Sequence, residues 1–128
     1  ELDPKQGGGM FAFRADNGQR VWQTPPPECG ERRPCSPAQS AAVTAIPGAV
    51  FSGALDGHLR AYAATNGKIL WDYDTNREFK TVNGIPGHGG ALDVGGPIVA
   101  GGMLFVNSGS AQRNGLPGNV LLAFGVAR

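Results

Sequence analysis

Asn17-Gly18 is followed by Trp22, and Asn66-Gly67 is followed at the same distance by Trp71, so both landmarks recur at an offset of 49 residues. A chain of 128 residues that repeats a turn and an aromatic at fixed spacing is built from a recurring unit. Asn-Gly between alternating apolar residues is a hairpin signal, because a two-residue turn asks for φ > 0 at both central positions. The flanks then read as strands: "MFAF" with "RVWQ", and "HLRAY" with "KILWDY".

Upstream of the second hairpin, "AVTAIPGAVFSG" reads as two strands about a Pro47-Gly48 turn, and "PIVAGGMLFVNSG" repeats that form with Gly102 and Phe105 matching Gly48 and Phe51 at an offset of 54. The segment "GNVLLAF" places Leu121, Ala123 and Phe124 on Leu59, Ala61 and Tyr62 at an offset of 62. Lettering the strands of one unit A to D, the order is C-D, A-B-C-D, A-B-C. The 21 glycines and 10 prolines suit such a turn-rich, helix-poor chain. A four-stranded unit with two apolar faces cannot bury them alone, whereas radially stacked sheets can. The fold is therefore expected to be all-β, a partial β-propeller of about two and a half four-stranded antiparallel blades. Its divisions are 1-28 (a C-D hairpin), 29-76 (a complete blade) and 77-128 (the A-B-C strands of a last blade). An antiparallel sandwich is the simpler alternative, but it leaves the echo unexplained.

A net charge of +1 gives no general electrostatic reason to bind nucleic acid or an anionic membrane. No apolar run approaches the roughly 20 residues of a membrane span. Cys29 and Cys35 lie in the loop-like "PPPECGERRPCSP". Zinc would need more ligands than this pair, so a local disulfide and an oxidising compartment are favoured. Because a ring needs at least four blades, the open faces call for further blades or for self-association.

The two motifs, Gly8-x-Met10-x-Ala12-Phe13-x-Ala15-x-Asn17-Gly18-x-x-x-Trp22 and Gly57-x-Leu59-x-Ala61-Tyr62-x-Ala64-x-Asn66-Gly67-x-x-x-Trp71, resemble the tryptophan-docking motif of quinoprotein propellers. In that family A-x-D/N-x-x-T-G-K-x-x-W closes each blade, and here Asn-Gly replaces the usual Thr-Gly. From Gly8 onward the chain is similar to the C-terminal part of polyvinyl alcohol dehydrogenase-like proteins. The resemblance implies a periplasmic or secreted enzyme that oxidises an alcohol with pyrroloquinoline quinone (PQQ), often with Ca²⁺ and a cytochrome c partner. It also implies a structural role for Trp22 and Trp71 between blades. The His58...Trp71-Asp72 echo of WD-repeat proteins fails on spacing.

PQQ is a planar tri-carboxylate, so its site wants cations, amide donors and a flat packing partner. The long connection "NREFKTVNGIPGHGGALD" offers Arg77, Lys80, Thr81, Asn83 and His88 as cofactor-binding candidates, with Asp93 as a candidate base. Each has a plainer reading as a solvated or turn residue. No heme-attachment C-x-x-C-H occurs, and a quinone pocket draws on several blades. The isolated chain is accordingly expected to be inactive, and a non-catalytic propeller used for protein assembly is the rival reading.

Overall fold

The computed structural model describes residues 8–31, 35–112 and 115–127. Among them the regular elements are all strands: β1 (Met10–Phe13), β2 (Arg20–Thr24), β3 (Thr44–Ile46), β4 (Ala49–Gly53), β5 (His58–Ala63), β6 (Ile69–Asp74), β7 (Glu78–Lys80), β8 (Pro86–His88), β9 (Ile98–Ala100), β10 (Met103–Ser108) and β11 (Val120–Phe124). They form a first sheet β1-β2, a middle sheet β3-β4-β5-β6, a separate hairpin β7-β8 and a third sheet β9-β10-β11. Every pairing is antiparallel.

Local chemistry explains the turns. Pro47-Gly48 joins β3 to β4 with Gly48 at φ 86, and Gly101-Gly102 joins β9 to β10 with both residues at positive φ. The Asn-Gly turns differ from the two-residue form that the sequence suggests. Of each pair only the glycine takes positive φ, Gly18 at 71 and Gly67 at 72. The loops are longer, closed by Arg14 N–H to the Gln19 carbonyl and by Ala63 N–H to the Lys68 carbonyl, both at 2.8 Å. Asn17 Oδ1 accepts from Gln19 N–H at 2.9 Å, and Asn66 Oδ1 from Lys68 N–H at 3.0 Å. The asparagine thus serves through its side chain, which removes any need for a strained backbone. Both hairpins carry a register shift at the same place, after Ala12 and after Ala61.

Side chains alternate across a strand, and pairing of Leu59 with Tyr73 and of Ala61 with Trp71 gathers one face of the middle sheet. That face meets Leu104, Val106, Leu122 and Phe124 of the third sheet, with Phe51 and Leu92 completing the cluster. Trp71 and Tyr73 both meet Phe124 edge-on, with ring centres 5.3 and 5.0 Å apart. The opposite face carries Arg60 and Tyr62, where Gln39 donates to the Tyr62 hydroxyl at 3.0 Å and to Ser52 Oγ at 3.2 Å. Neighbouring sheets also meet through β3 and β9, with Thr44 Oγ1 donating to the Pro97 carbonyl. A middle sheet covered on both sides, with first strands in contact, is a stack of spokes and not a closed two-layer sandwich.

The first sheet joins this stack through Trp22 and Thr24. Trp22 donates its indole N–H to the Ala64 carbonyl at 2.9 Å, and Thr24 Oγ1 donates to the Gly67 carbonyl at 2.6 Å. The indole lies so close to Gly67 that a Cβ there would stand 2.4 Å from it. Cys29 and Cys35, bonded as a disulfide, shorten the connection that leads to β3.

Candidate functional site

The connection after β6, read from sequence as irregular, contains the β7-β8 hairpin, in which Glu78 faces His88 and Lys80 faces Pro86. Its tip is tied internally. Thr81 Oγ1 lies 2.6 Å from Asn83 Oδ1 and also reaches the Ile85 carbonyl, while Ile85 N–H donates to Asn83 Oδ1 at 3.3 Å. Thr81 and Asn83 are therefore turn-forming groups here. Arg77 anchors the base: its guanidinium sits 5.0 Å from the Tyr73 ring centre and 5.3 Å from that of Phe79, and it donates to the Tyr73 hydroxyl at 2.7 Å.

Asn119, just before β11, fastens the second strand. Its Oδ1 accepts from His88 N–H at 2.9 Å, and its own N–H donates to the His88 carbonyl at 2.9 Å. Between hairpin and third sheet lies a cleft of about 460 Å³ lined by Asn76, Glu78, His88, Leu116 and Asn119. His88 Nε2 stands 4.0 Å from Glu78 Oε1, with both side chains open to solvent, so their mutual attraction is small. A second cleft of about 510 Å³ is lined by Glu78, Lys80, Thr81 and Ile85. Asp93 borders neither cleft and accepts from Ser40 Oγ at 2.7 Å.

Gly87, before His88, lies against the Val120 and Thr81 side chains, whereas the two glycines after it lie against backbone. A Cβ on Gly89 would lie 1.9 Å from the Thr75 carbonyl oxygen, and one on Gly90 would lie 2.3 Å from that of Leu116. Beneath them Thr75 and Ser108 are buried, with hydroxyls 2.7 Å apart, and Gly90 N–H donates to Ser108 Oγ at 2.8 Å. The long connections are thus knitted together at one end of the sheets.

For a tri-carboxylate quinone these residues alone do not form a cradle. Arg77 is committed to Tyr73 and Phe79, alternation puts Lys80 on the other face of β7, and Lys80 shares that face with the Glu78 carboxylate. Among the described residues no three His, Cys, Asp or Glu side chains are grouped to hold a metal, so the fit to Ca²⁺ is likewise incomplete.

A second polar cluster lies under the disulfide loop. The Arg60 side chain, 3% exposed, is paired with Asp56 at 2.7 Å and Asp72 at 3.0 Å. Burial opposes its charge, but the hydrogen bonds and Coulombic attraction of the two aspartates win and hold its pKa above the usual arginine value. His58 Nδ1 stands 2.5 Å from Asp72 Oδ1 on the same face. Cys29 and Cys35 border the small hollow above. Glu78, Asn119 and Arg60 carry no motif in the sequence: register brings Glu78 to His88 and Arg60 to Asp72, and Asn119 reaches His88 from a position remote in sequence.

Stacked antiparallel sheets, tight turns at one end and irregular connections at the other, are the arrangement of a partial β-propeller. The model of the PQQ_2 family, described as outer membrane protein assembly factor BamB, matches residues 6–124. The chain belongs to that family. It is 44% identical over 136 aligned positions to a polyvinylalcohol dehydrogenase of a Pseudomonas species, covering 95% of this chain and 21% of that protein. It is 39% identical to the polyvinylalcohol dehydrogenase of Sphingopyxis sp. strain 113P3, covering 92% and 20%. Quinohemoprotein alcohol dehydrogenase ADH-IIG of Pseudomonas putida is 29% identical over 80% of this chain and 14% of that protein. The chain spans about a fifth of the length of the two polyvinylalcohol dehydrogenases.

Proposed function

We propose that this chain is part of the propeller of a PQQ-dependent alcohol dehydrogenase of the polyvinyl alcohol type, whose complete ring oxidises an alcohol by hydride transfer to the quinone. The observation that carries this reading is the 44% identity to a polyvinylalcohol dehydrogenase across 95% of the chain. PQQ, and Ca²⁺ with it, would be held by the ring as a whole, since the residues here form only a margin of such a site. Lys80 and His88, at the cleft mouths, are this chain's contribution to that margin. Arg77, Thr81 and Asn83 fix the hairpin that carries them. Asp93, which accepts from Ser40, remains the candidate base that this chain offers to the complete ring.

The disulfide supports an exported, periplasmic or secreted location, because such bonds persist in oxidising compartments. No helix among the described residues is long and apolar enough to cross a membrane. A cytochrome c is the proposed electron acceptor. The decisive experiment grafts this chain in place of the matching segment of the Pseudomonas enzyme and assays alcohol oxidation with added PQQ, Ca²⁺ and a dye acceptor. Retained turnover is the expected result; a folded chimaera without turnover would overturn the reading. The family's description as an assembly factor favours a non-catalytic scaffold as the second reading, and that inactive but folded chimaera is the outcome it requires.

A further inference from the structure

Asn-Gly pairs occur at Asn17, Asn66, Asn83 and Asn114, the last of which lies outside the described residues. Asparagine is thermolabile, and most so before glycine, where no Cβ keeps the next main-chain nitrogen away from the side-chain carbonyl carbon. The three described pairs share this chemistry but not their surroundings. Asn66 is held from another sheet: Gly67 N–H donates to the Ala63 carbonyl at 2.8 Å, the Gly67 carbonyl accepts from Thr24 Oγ1 at 2.6 Å, and the Trp22 indole covers the glycine. Asn17 has matching local bonds without that cover, Gly18 N–H to the Arg14 carbonyl and Gln19 N–H to Asn17 Oδ1, both at 2.9 Å. Asn83, at the tip of the β7-β8 hairpin, has the longest of these bonds. Gly84 N–H reaches the Thr81 carbonyl at 3.2 Å and Ile85 N–H reaches Asn83 Oδ1 at 3.3 Å. The Thr81 hydroxyl is closer to that oxygen, at 2.6 Å, but its single proton is shared with the Ile85 carbonyl. Asn83 and Gly84 are both exposed, and a Cβ on Gly84 would meet nothing within 4 Å.

We infer that Asn83 is a self-modifying site that converts to isoaspartate through Gly84, whereas Trp22 and Thr24, seated on Gly67, hold Asn66 back from the same reaction. The Gly84 main-chain nitrogen gives up its proton and attacks Asn83 Cγ. The new C–N bond closes a succinimide as the Cγ–Nδ2 bond breaks, and ammonia leaves with that proton. Water then opens the ring at either carbonyl, giving aspartate or isoaspartate. The balance is amide plus water to acid plus ammonia, with nothing oxidised or reduced. Ring closure needs the local bonds to open first, so the pair with the longest bonds reacts soonest and the pair under a neighbouring sheet reacts last. Isoaspartate lengthens the main chain by a methylene, adds a negative charge and displaces the oxygen that Thr81 and Ile85 contact. The change therefore loosens the tip of a hairpin that is separate from the stacked sheets and carries Lys80 and His88. It belongs to the chain's own chemistry and is independent of the alcohol-oxidising reading.

The test is a time course of the chain in warm, mildly alkaline buffer, read by peptide mass mapping and by isoaspartate-specific methylation. Conversion is expected first at Asn83, then at Asn17, and at Asn66 more slowly than at Asn83 by about tenfold or more. In guanidinium chloride the three rates should draw together, because the order comes from the fold. Trp22→Ala should raise the Asn66 rate to that of Asn17 and leave Asn83 unchanged. Thr24→Val, which removes only the hydroxyl on Gly67, should release Asn66 in part, and it repeats the test should Trp22→Ala lose its β-sheet circular dichroism. Conversion at Asn17 or Asn66 ahead of Asn83, the same order in the denatured chain, or an Asn66 rate indifferent to both variants would each overturn the inference.

Discussion

Gly18 and Gly67 hold the same place in the repeat and nearly the same φ, 71 and 72, yet only Gly67 lies against another side chain. Alanine at either position pays the left-handed backbone penalty of about 1–2 kcal/mol. Gly67→Ala must in addition displace the Trp22 indole, whereas a Cβ on Gly18 meets nothing within 4 Å. Denaturant titration should therefore show Gly67→Ala to be the costlier of the two by at least about 1 kcal/mol. Trp22→Phe, which keeps most of the ring but loses the donor to Ala64, should cost about 1 kcal/mol by the same measurement. At Tyr62, burial raises the phenol pKa above its ordinary 10.0, outweighing the Gln39 hydrogen bond that lowers it. The neutral form is favoured in the folded protein, so its stabilisation is complete below the unfolded pKa and drains away as pH rises through the folded one. Stability measured upward from pH ~10 should fall, and Tyr62→Phe should flatten that fall.

At the scale of elements, the hairpin β7-β8 depends on two side chains outside it, Arg77 at its base and Asn119 along its second strand. Asn119→Ala should speed amide exchange across Glu78–His88 by tenfold or more, about 1.4 kcal/mol of local opening, with little change in β5. The disulfide closes so short a loop that its reduction should lower global stability by about 2 kcal/mol, read as a shift in the denaturant midpoint with and without reductant. The strands of the three stacked sheets were legible because period-two alternation and turn dipeptides are local signals. The hairpin was not: "EFK" and "PGH" are too short to show alternation, and its stability comes from Tyr73 and Asn119, remote in sequence. For the candidate site, sequence picked out polar residues but not their engagements. That Arg77 is stacked between two rings, or that Asp93 is bound to Ser40, is decided by packing that no window of sequence contains.

Across the whole molecule, the middle sheet is the part sheltered on both sides: apolar contacts on one face, and on the other the Arg60 cluster beside the disulfide and the Tyr62–Gln39 pair. Its neighbours are sheltered on one side each. In a quasi-one-dimensional array this difference sets the order of loss, since an end unit gives up one interface when it opens and an inner unit gives up two. Heating should therefore erode the chain from its flanks, with β1-β2 and β9-β11 melting while His58–Asp74 still holds. A single midpoint would conceal this, and two probes, the fluorescence of Trp22 and amide exchange within β5, would not coincide.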